Sequence, residues 1–129
     1  MAKHQLTINE SWVFAGEFDQ QSGKRVALSL LSSNQSDWPQ AIICANDEMA
    51  VGLEQTFLAH RIKIPEQISI IGFDDILISQ YVTPSLSTIS YLKQELGYLA
   101  VDSLIKLIQK KEVINLKIKT SFIKRNSSI

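Results

Sequence analysis

The sequence predicts an α/β fold: a mostly parallel sheet with helices on both faces. Two observations lead to this prediction. Short, continuous apolar segments occur at residues 11–16, 41–45 and 68–73, and the last of them is rich in β-branched residues. Between and after them, apolar residues recur at the three-to-four-residue spacing of a helix. Continuous apolar strands that alternate with helices are typical of parallel sheets that are buried on both faces.

The first half of the chain predicts two strand–helix units. After the segment 11–16, Asp19 can cap a helix that runs to about Leu31. A polar loop that closes at Trp38–Pro39 leads into the segment 41–45. Asn46 and Asp47 follow it and offer the cap of a second helix.

The second half predicts a third strand at residues 68–73, which Asp74 and Asp75 end. A short extended piece follows at 87–90. The longest helix is predicted over residues 92–110, with Leu96, Ala100, Leu104, Leu107 and Ile108 on one stripe. Alternating apolar and polar residues from Leu116 to Lys124 predict a final, half-exposed strand.

Composition excludes several classes of protein. The chain has 129 residues, enough for one domain, and is 45% hydrophobic and 20% charged, as in globular proteins. Its 13 basic and 13 acidic residues cancel, which argues against nucleic acid as a direct partner of this chain. We see no secretory signal and no apolar run of about 18 residues, so we expect a cytoplasmic protein without a membrane span. The lone Cys44 lies in an apolar run and is expected to be a buried, inert thiol.

Polar residues follow each of the first three predicted strands. They are Glu17-Phe18-Asp19, Asn46-Asp47 and Asp74-Asp75. In open α/β sheets, ligands bind beyond the carboxyl ends of the strands, which meet at one edge. An aromatic ring, an amide and carboxylates at this edge predict a pocket for a small, neutral, polar ligand.

Simpler interpretations remain open. Asp19, Asn46 or Asp47, and Asp75 could each merely cap the next helix. Metal binding and catalysis are the weaker alternatives, because no phosphate-cradling glycine loop and no nucleophile–base motif is present. His4 and His60 are far apart in sequence and are expected to be exposed rather than metal ligands. We therefore predict no catalytic residues, no metal and no cofactor.

Five segments resemble, in order and spacing, the lactose repressor/galactose repressor (LacI/GalR) family of bacterial transcription regulators. Each segment alone is weakly specific, but together they cover nearly the whole chain. The segments are GEF with the following SG at residues 16–23, ANDEMAVG at 45–52, IPEQISIIGFDD at 64–75, TPSLSTI at 83–89 and FIKRNSS at 122–128.

The resemblance implies the fold of a type I periplasmic binding protein, in which two α/β lobes close around an effector. It implies that Phe18 stacks on the effector and that Asn46 and Asp74 hydrogen-bond it. Tyr91 and Lys93 fall where the family places a further polar contact, although their residue types depart from the family pattern. Asp47 and Asp75 would be structural caps.

The resemblance also implies a homodimer through the C-terminal lobe. It places the dimer surface near Met49 and Val51 and along residues 76–82, where Ile76 and Tyr81 fit such a contact. The same apolar residues could instead belong to the core of the lobe.

In domain terms, residues 11–90 resemble part of the C-terminal lobe, residues 91–111 a helix crossing toward the N-terminal lobe, and residues 116–126 a terminal strand. We expect the DNA-binding domain to lie outside this chain. The function expected is ligand sensing, with a sugar as the effector, in a regulator whose DNA affinity the effector controls. The alternative is a sugar-binding protein of a transport system with the same fold, and a weaker one is an enzyme in which Asp74 accepts phosphate or binds metal.

Overall fold

The computed structural model describes residues 9–129. Within them, single 3-10 turns occur at Glu10–Trp12 and Gln35–Asp37. The strands are β1 (Ala41–Ile43), β2 (Ser69–Phe73), β3 (Ser87–Tyr91) and β4 (Thr120–Ile123), and the α-helices are α1 (Gln20–Leu31), α2 (Asp47–Ala59), α3 (Ile78–Tyr81) and α4 (Lys93–Ile108).

The four strands form one sheet in the order β1-β2-β3-β4. The pairs β1–β2 and β2–β3 are parallel, whereas β4 runs antiparallel to β3. Ile43 lies opposite Ile71, and Phe73 lies opposite Ile89, so the carboxyl ends of the three parallel strands reach the same edge. The prediction of a mostly parallel α/β sheet is confirmed.

The core lies between α2 and the sheet. Its fully buried side chains include Phe57 and Leu53 on α2 and Ile70 on β2. Helix α1 packs on α2 through Gly23, where an added Cβ would collide with the backbone of Met49. The cap and bounds predicted for α1 are confirmed, because the Asp19 side chain accepts a hydrogen bond from the backbone N–H of Ser22.

The predicted strand at residues 11–16 is not formed. The side chain of Asn9 caps a 3-10 turn at Glu10–Trp12, and the Trp12 indole donates to the carbonyl oxygen of Asp37 at 2.9 Å. Residues 13–16 make no strand pairing, and β1 lies at the edge of the sheet. This apolar run forms no strand and is not buried as a whole, since only Phe14 of residues 11–16 packs against the core.

Helix α4 confirms the longest predicted helix but not its buried stripe, because none of its residues is buried. Leu104 and Ile108 on that stripe are exposed, and so is Val101 outside it. The helical spacing predicted the helix correctly, but within residues 9–129 most of its apolar residues remain exposed.

The terminal strand is shorter than the predicted 116–124. Residues 113–118 lie along α4 instead, where Val113, Ile114 and Leu116 line one cavity with Leu96. After β4, the chain is held against the sheet: Ser127 Oγ donates to the carbonyl oxygen of Ile70 at 2.6 Å. Alternating apolar and polar residues alone do not distinguish a strand that pairs in a sheet from the unpaired residues on either side of it.

Candidate functional site

Asn46 follows β1 at the carboxyl edge of the sheet and contacts Phe18, which lies in the loop before α1. Asn46 Nδ2 donates to the carbonyl oxygen of Phe18 at 2.9 Å, while Asn46 Oδ1 accepts from the backbone N–H of Met49 at 2.9 Å. Asn46 therefore caps α2 and also fixes the loop that carries Phe18. The Phe18 ring is 64% exposed, so its face is free for a ligand.

Three residues at the carboxyl edge of the sheet have a strained backbone. Phe18, Asp74 and Asp75 have φ of 60°, 107° and 51°. L residues rarely adopt such angles, and strain of this kind collects at functional sites. Arg61 and Lys110 also have positive φ, but each lies directly after a helix end, where this conformation is common.

Asp74, Tyr91 and Lys93 form a second group at the same edge. The Tyr91 hydroxyl donates to Asp74 Oδ1 at 3.1 Å, and this bond raises the pKa of the Tyr91 phenol. Lys93 Nζ donates to the backbone oxygen of Asp75 at 3.0 Å. The five predicted ligand-binding residues thus fall into two groups: Asn46 contacts Phe18, whereas Tyr91 contacts Asp74 and Lys93 contacts the adjacent Asp75.

Each group borders a cavity through some of its members, although neither Asn46 nor Asp74 lies on the wall of either cavity. A cleft of about 540 Å³ is lined by Asp75, Tyr91 and Lys93 together with Ser90 and residues 92–95. A second cavity of about 260 Å³ is mainly apolar and has Phe18, Trp12 and Ala45 on its wall. Polar side chains on the wall of one cavity and an exposed aromatic ring on the wall of the other suit a ligand with hydroxyl groups and an apolar face.

Asp47 has a different role from the predicted helix cap, since Asn46 caps α2. Asp47 is fully buried and accepts hydrogen bonds from the N–H of Ile76 at 2.9 Å, from Ser79 Oγ at 2.6 Å and from Thr88 Oγ1. It joins α2, β3 and the loop after β2. Asp75 does not cap a helix either, because Leu77 is the N-cap residue of α3 and lacks a side-chain cap.

The residues predicted for a dimer surface divide into two kinds. Met49 and Val51 are 8% and 5% exposed and belong to the core, so neither offers a surface to a partner. This corrects the interface prediction for these two residues. Tyr81 is 72% exposed and Ile76 is half-buried, so the part of the prediction on and before α3 stays a prediction.

Arg125 is a site residue that the sequence did not reveal. Its guanidinium forms an ion pair with Asp75 Oδ1 at 2.6 Å and donates to the carbonyl oxygen of Leu86 at 2.8 Å. Fifty positions separate Arg125 from Asp75, and no local pattern connects them. The only sequence feature that could have drawn attention to Arg125 is its position in the family-like segment FIKRNSS at residues 122–128.

Other kinds of site find no support among residues 9–129. They contain no group of three or more side chains able to hold a metal ion and no helix long and apolar enough to cross a membrane. Burial raises the pKa of the Cys44 thiol to about 12, as expected for an inert thiol. His60 is exposed and its Nδ1 contacts the Thr56 carbonyl oxygen, whereas His4 lies outside the described residues.

Comparison with known proteins identifies relatives for nearly the whole chain. The family model described as a periplasmic binding protein-like domain matches residues 1–128. The probable HTH-type transcriptional repressor ExuR of Bacillus subtilis is 35% identical over 98% of this chain and 38% of its own length. The ribose operon repressor of Haemophilus influenzae is 38% identical over 84% of this chain and 32% of its own length.

Solved structures show the same likeness. A LacI family transcriptional regulator from Lactobacillus casei, solved with bound sucrose, superimposes with a TM-score of 0.84 at 25% identity, covering 99% of this chain and 47% of that one. The chain therefore spans about two fifths or less of the curated relatives' length and nearly half of the solved one.

Proposed function

Given that this chain belongs to the LacI/GalR family of transcriptional regulators, we propose that it forms part of the ligand-sensing module of a bacterial regulator. The observation that supports the proposal is that two groups of residues, Phe18 with Asn46 and Asp74 with Tyr91, follow or border neighbouring strands at the carboxyl edge of the sheet. The first group offers an exposed aromatic ring and an amide, the second offers a carboxylate, and Phe18 and Asp74 both have positive φ.

The ligand that we propose is a sugar. The Phe18 ring offers an apolar face for a pyranose or furanose ring, and Asp74 Oδ atoms accept hydrogen bonds from hydroxyl groups. The solved regulator from Lactobacillus casei carries sucrose, and one curated relative is a ribose operon repressor. These relatives favour a neutral, hydroxyl-rich ligand over a charged one.

Regulation follows from two lobe arrangements in the complete protein. A ligand that binds one arrangement more tightly than the other shifts the balance between them and so changes DNA affinity at a separate domain. We propose that DNA is bound through a domain outside this chain, and that two copies pair through the surface around Ile76 and Tyr81. The named curated relatives are repressors, which favours binding and regulation over catalysis or transport.

A thermal-shift screen of the full-length protein tests the proposal. The panel contains D-glucose, sucrose, D-ribose, adenosine and guanosine. A ligand at about one hundred times its Kd stabilises the folded state by about 2.7 kcal/mol, which moves Tm by several degrees. We expect a sugar to raise Tm. A rise with the nucleosides alone would make the sugar assignment wrong and leave the ligand-sensing role standing.

A further inference from the structure

Asp74 lies in the turn after β2, where the backbone has an energetically unfavourable conformation. Asp74 and Asp75 are consecutive and both have positive φ, 107° and 51°. Each such residue costs on the order of 1–3 kcal/mol and persists only where surrounding contacts hold it. The orientation of the Asp74 carboxylate therefore depends on the groups that hold this turn.

Several of these contacts hold the backbone of the turn. The N–H of Asp74 donates to the carbonyl oxygen of Ile89 at 2.9 Å, and the N–H of Ile76 donates to Asp47 Oδ2 at 2.9 Å. Lys93 Nζ adds a bond to the carbonyl oxygen of Asp75. These bonds place the ends of the turn, but none of them fixes the Asp75 side chain.

Arg125 holds that side chain and is itself held firmly. Its guanidinium binds Asp75 Oδ1 at 2.6 Å and the Leu86 carbonyl oxygen at 2.8 Å, and its own N–H donates to Ser87 Oγ at 2.8 Å. The side chains of the ion pair are 15% and 21% exposed. A largely buried ion pair with such support is stronger and geometrically stricter than a surface pair.

We propose that Arg125 is a positioning residue of the ligand site, which holds Asp74 in its binding orientation through Asp75. The inference rests on the proposed function, in which Asp74 contacts the ligand. Arg125 contacts the carboxylate of Asp75, which is next to the ligand-binding Asp74. Its guanidinium donates hydrogen bonds to Asp75 and to the Leu86 carbonyl oxygen rather than to Asp74 itself. A lysine could keep the charge, but it lacks the fork that reaches both acceptors.

Tyr91 offers a readout of Asp74 that needs no ligand. Its hydroxyl donates to Asp74 Oδ1, and the pKa of the phenol is raised mainly by this bond. Displacement of Asp74 removes the acceptor, so the phenol pKa moves toward its ordinary value. The chain has three tyrosines, and replacing Tyr81 and Tyr98 with Phe leaves Tyr91 as the only one.

The experiment is an ultraviolet absorbance titration of Tyr91 in this 129-residue chain with Tyr81→Phe and Tyr98→Phe. We expect Arg125→Gln to lower the pKa of Tyr91 and Arg125→Lys to lower it less. The control is Arg25→Gln, which breaks the exposed pair with Glu17 and should leave the titration unchanged. Circular dichroism at each pH verifies that the variants are folded.

An unchanged Tyr91 titration in folded Arg125→Gln would overturn the proposal. If that variant unfolds, Arg125→Lys decides with the same titration, and hydrogen exchange of the Ile76 amide near neutral pH provides a second measure. Faster exchange at Ile76 than in the Arg25→Gln control supports the proposal, and equal exchange contradicts it. Because the titration uses no sugar, its failure is distinct from a failed ligand screen.

Discussion

Glu54 provides a quantitative test of how completely α2 is buried. Its side chain is fully buried, and both carboxyl oxygens lack a hydrogen-bond partner among residues 9–129. Burial raises the pKa of this carboxyl from an ordinary 4.5 to about 8. The group is therefore mainly protonated at neutral pH, and ionising it inside the fold is unfavourable.

The sign of the pH effect follows from proton binding. Below the unfolded pKa, both states hold the proton and Glu54 adds no pH dependence. As pH rises from about 4.5 to about 8, the unfolded chain releases a proton that the folded chain keeps, so stability falls. At about 1.36 kcal/mol per pKa unit, the loss from about pH 5 to about pH 8 is roughly 3 kcal/mol.

The perturbation is Glu54→Leu, which has similar volume and cannot ionise. Urea unfolding of the 129-residue chain at several pH values, followed by circular dichroism, measures the free energy of unfolding. The difference between Glu54→Leu and the unmodified chain should grow by about 3 kcal/mol over this pH range. Exposed Glu66→Gln is the control and should show no such growth. A difference that stays constant with pH would refute the reasoning, because it would mean that Glu54 ionises as an exposed carboxyl does.

Two further predictions concern packing and exposed surface. Gly23→Ala should destabilise the chain by about 3 kcal/mol or more in urea unfolding, because an added Cβ would lie 2.8 Å from the Leu53 nitrogen and even closer to the Met49 carbonyl oxygen. The control Gly97→Ala, where a Cβ meets open space on α4, should instead stabilise by about 1 kcal/mol, and equal effects of the two changes would contradict the α1–α2 packing. The exposed apolar residues of α4 predict that this chain associates with itself and binds a hydrophobic dye. Leu104→Lys should reduce both without loss of stability, as measured by analytical sedimentation and dye fluorescence. A purely monomeric unmodified chain that binds no dye would contradict this prediction.

The sequence predicted the parts of the site that depend on local pattern. Apolar segments identified β1 and β2, and the residues after them identified the edge where Asn46 and Asp74 lie. This worked because parallel strands bring their carboxyl ends together whatever the details of packing. The cap at Asp19 was also predictable, since it involves residues three positions apart.

Other features depend on contacts that local sequence does not contain. Asn46 and Asp47 are both common cap residues, and only the fold shows that Asp47 is buried against Thr88 and Ser79. Arg125 reaches Asp75 across fifty positions. Residues 11–16 read as a strand, but strand formation requires a partner, and the Trp12 contact with Asp37 competes with pairing.

We propose that Phe18 and Asp74 bind a sugar in the full-length regulator. Calorimetry of sucrose, D-glucose and D-ribose with the unmodified protein, Phe18→Ala and Asp74→Ala tests it, with Leu28→Ala on the exposed face of α1 as a control. We predict that a sugar binds the unmodified and control proteins, and that each site variant weakens binding by about 1–3 kcal/mol with little change in Tm. Unmodified affinity in both site variants would contradict the account.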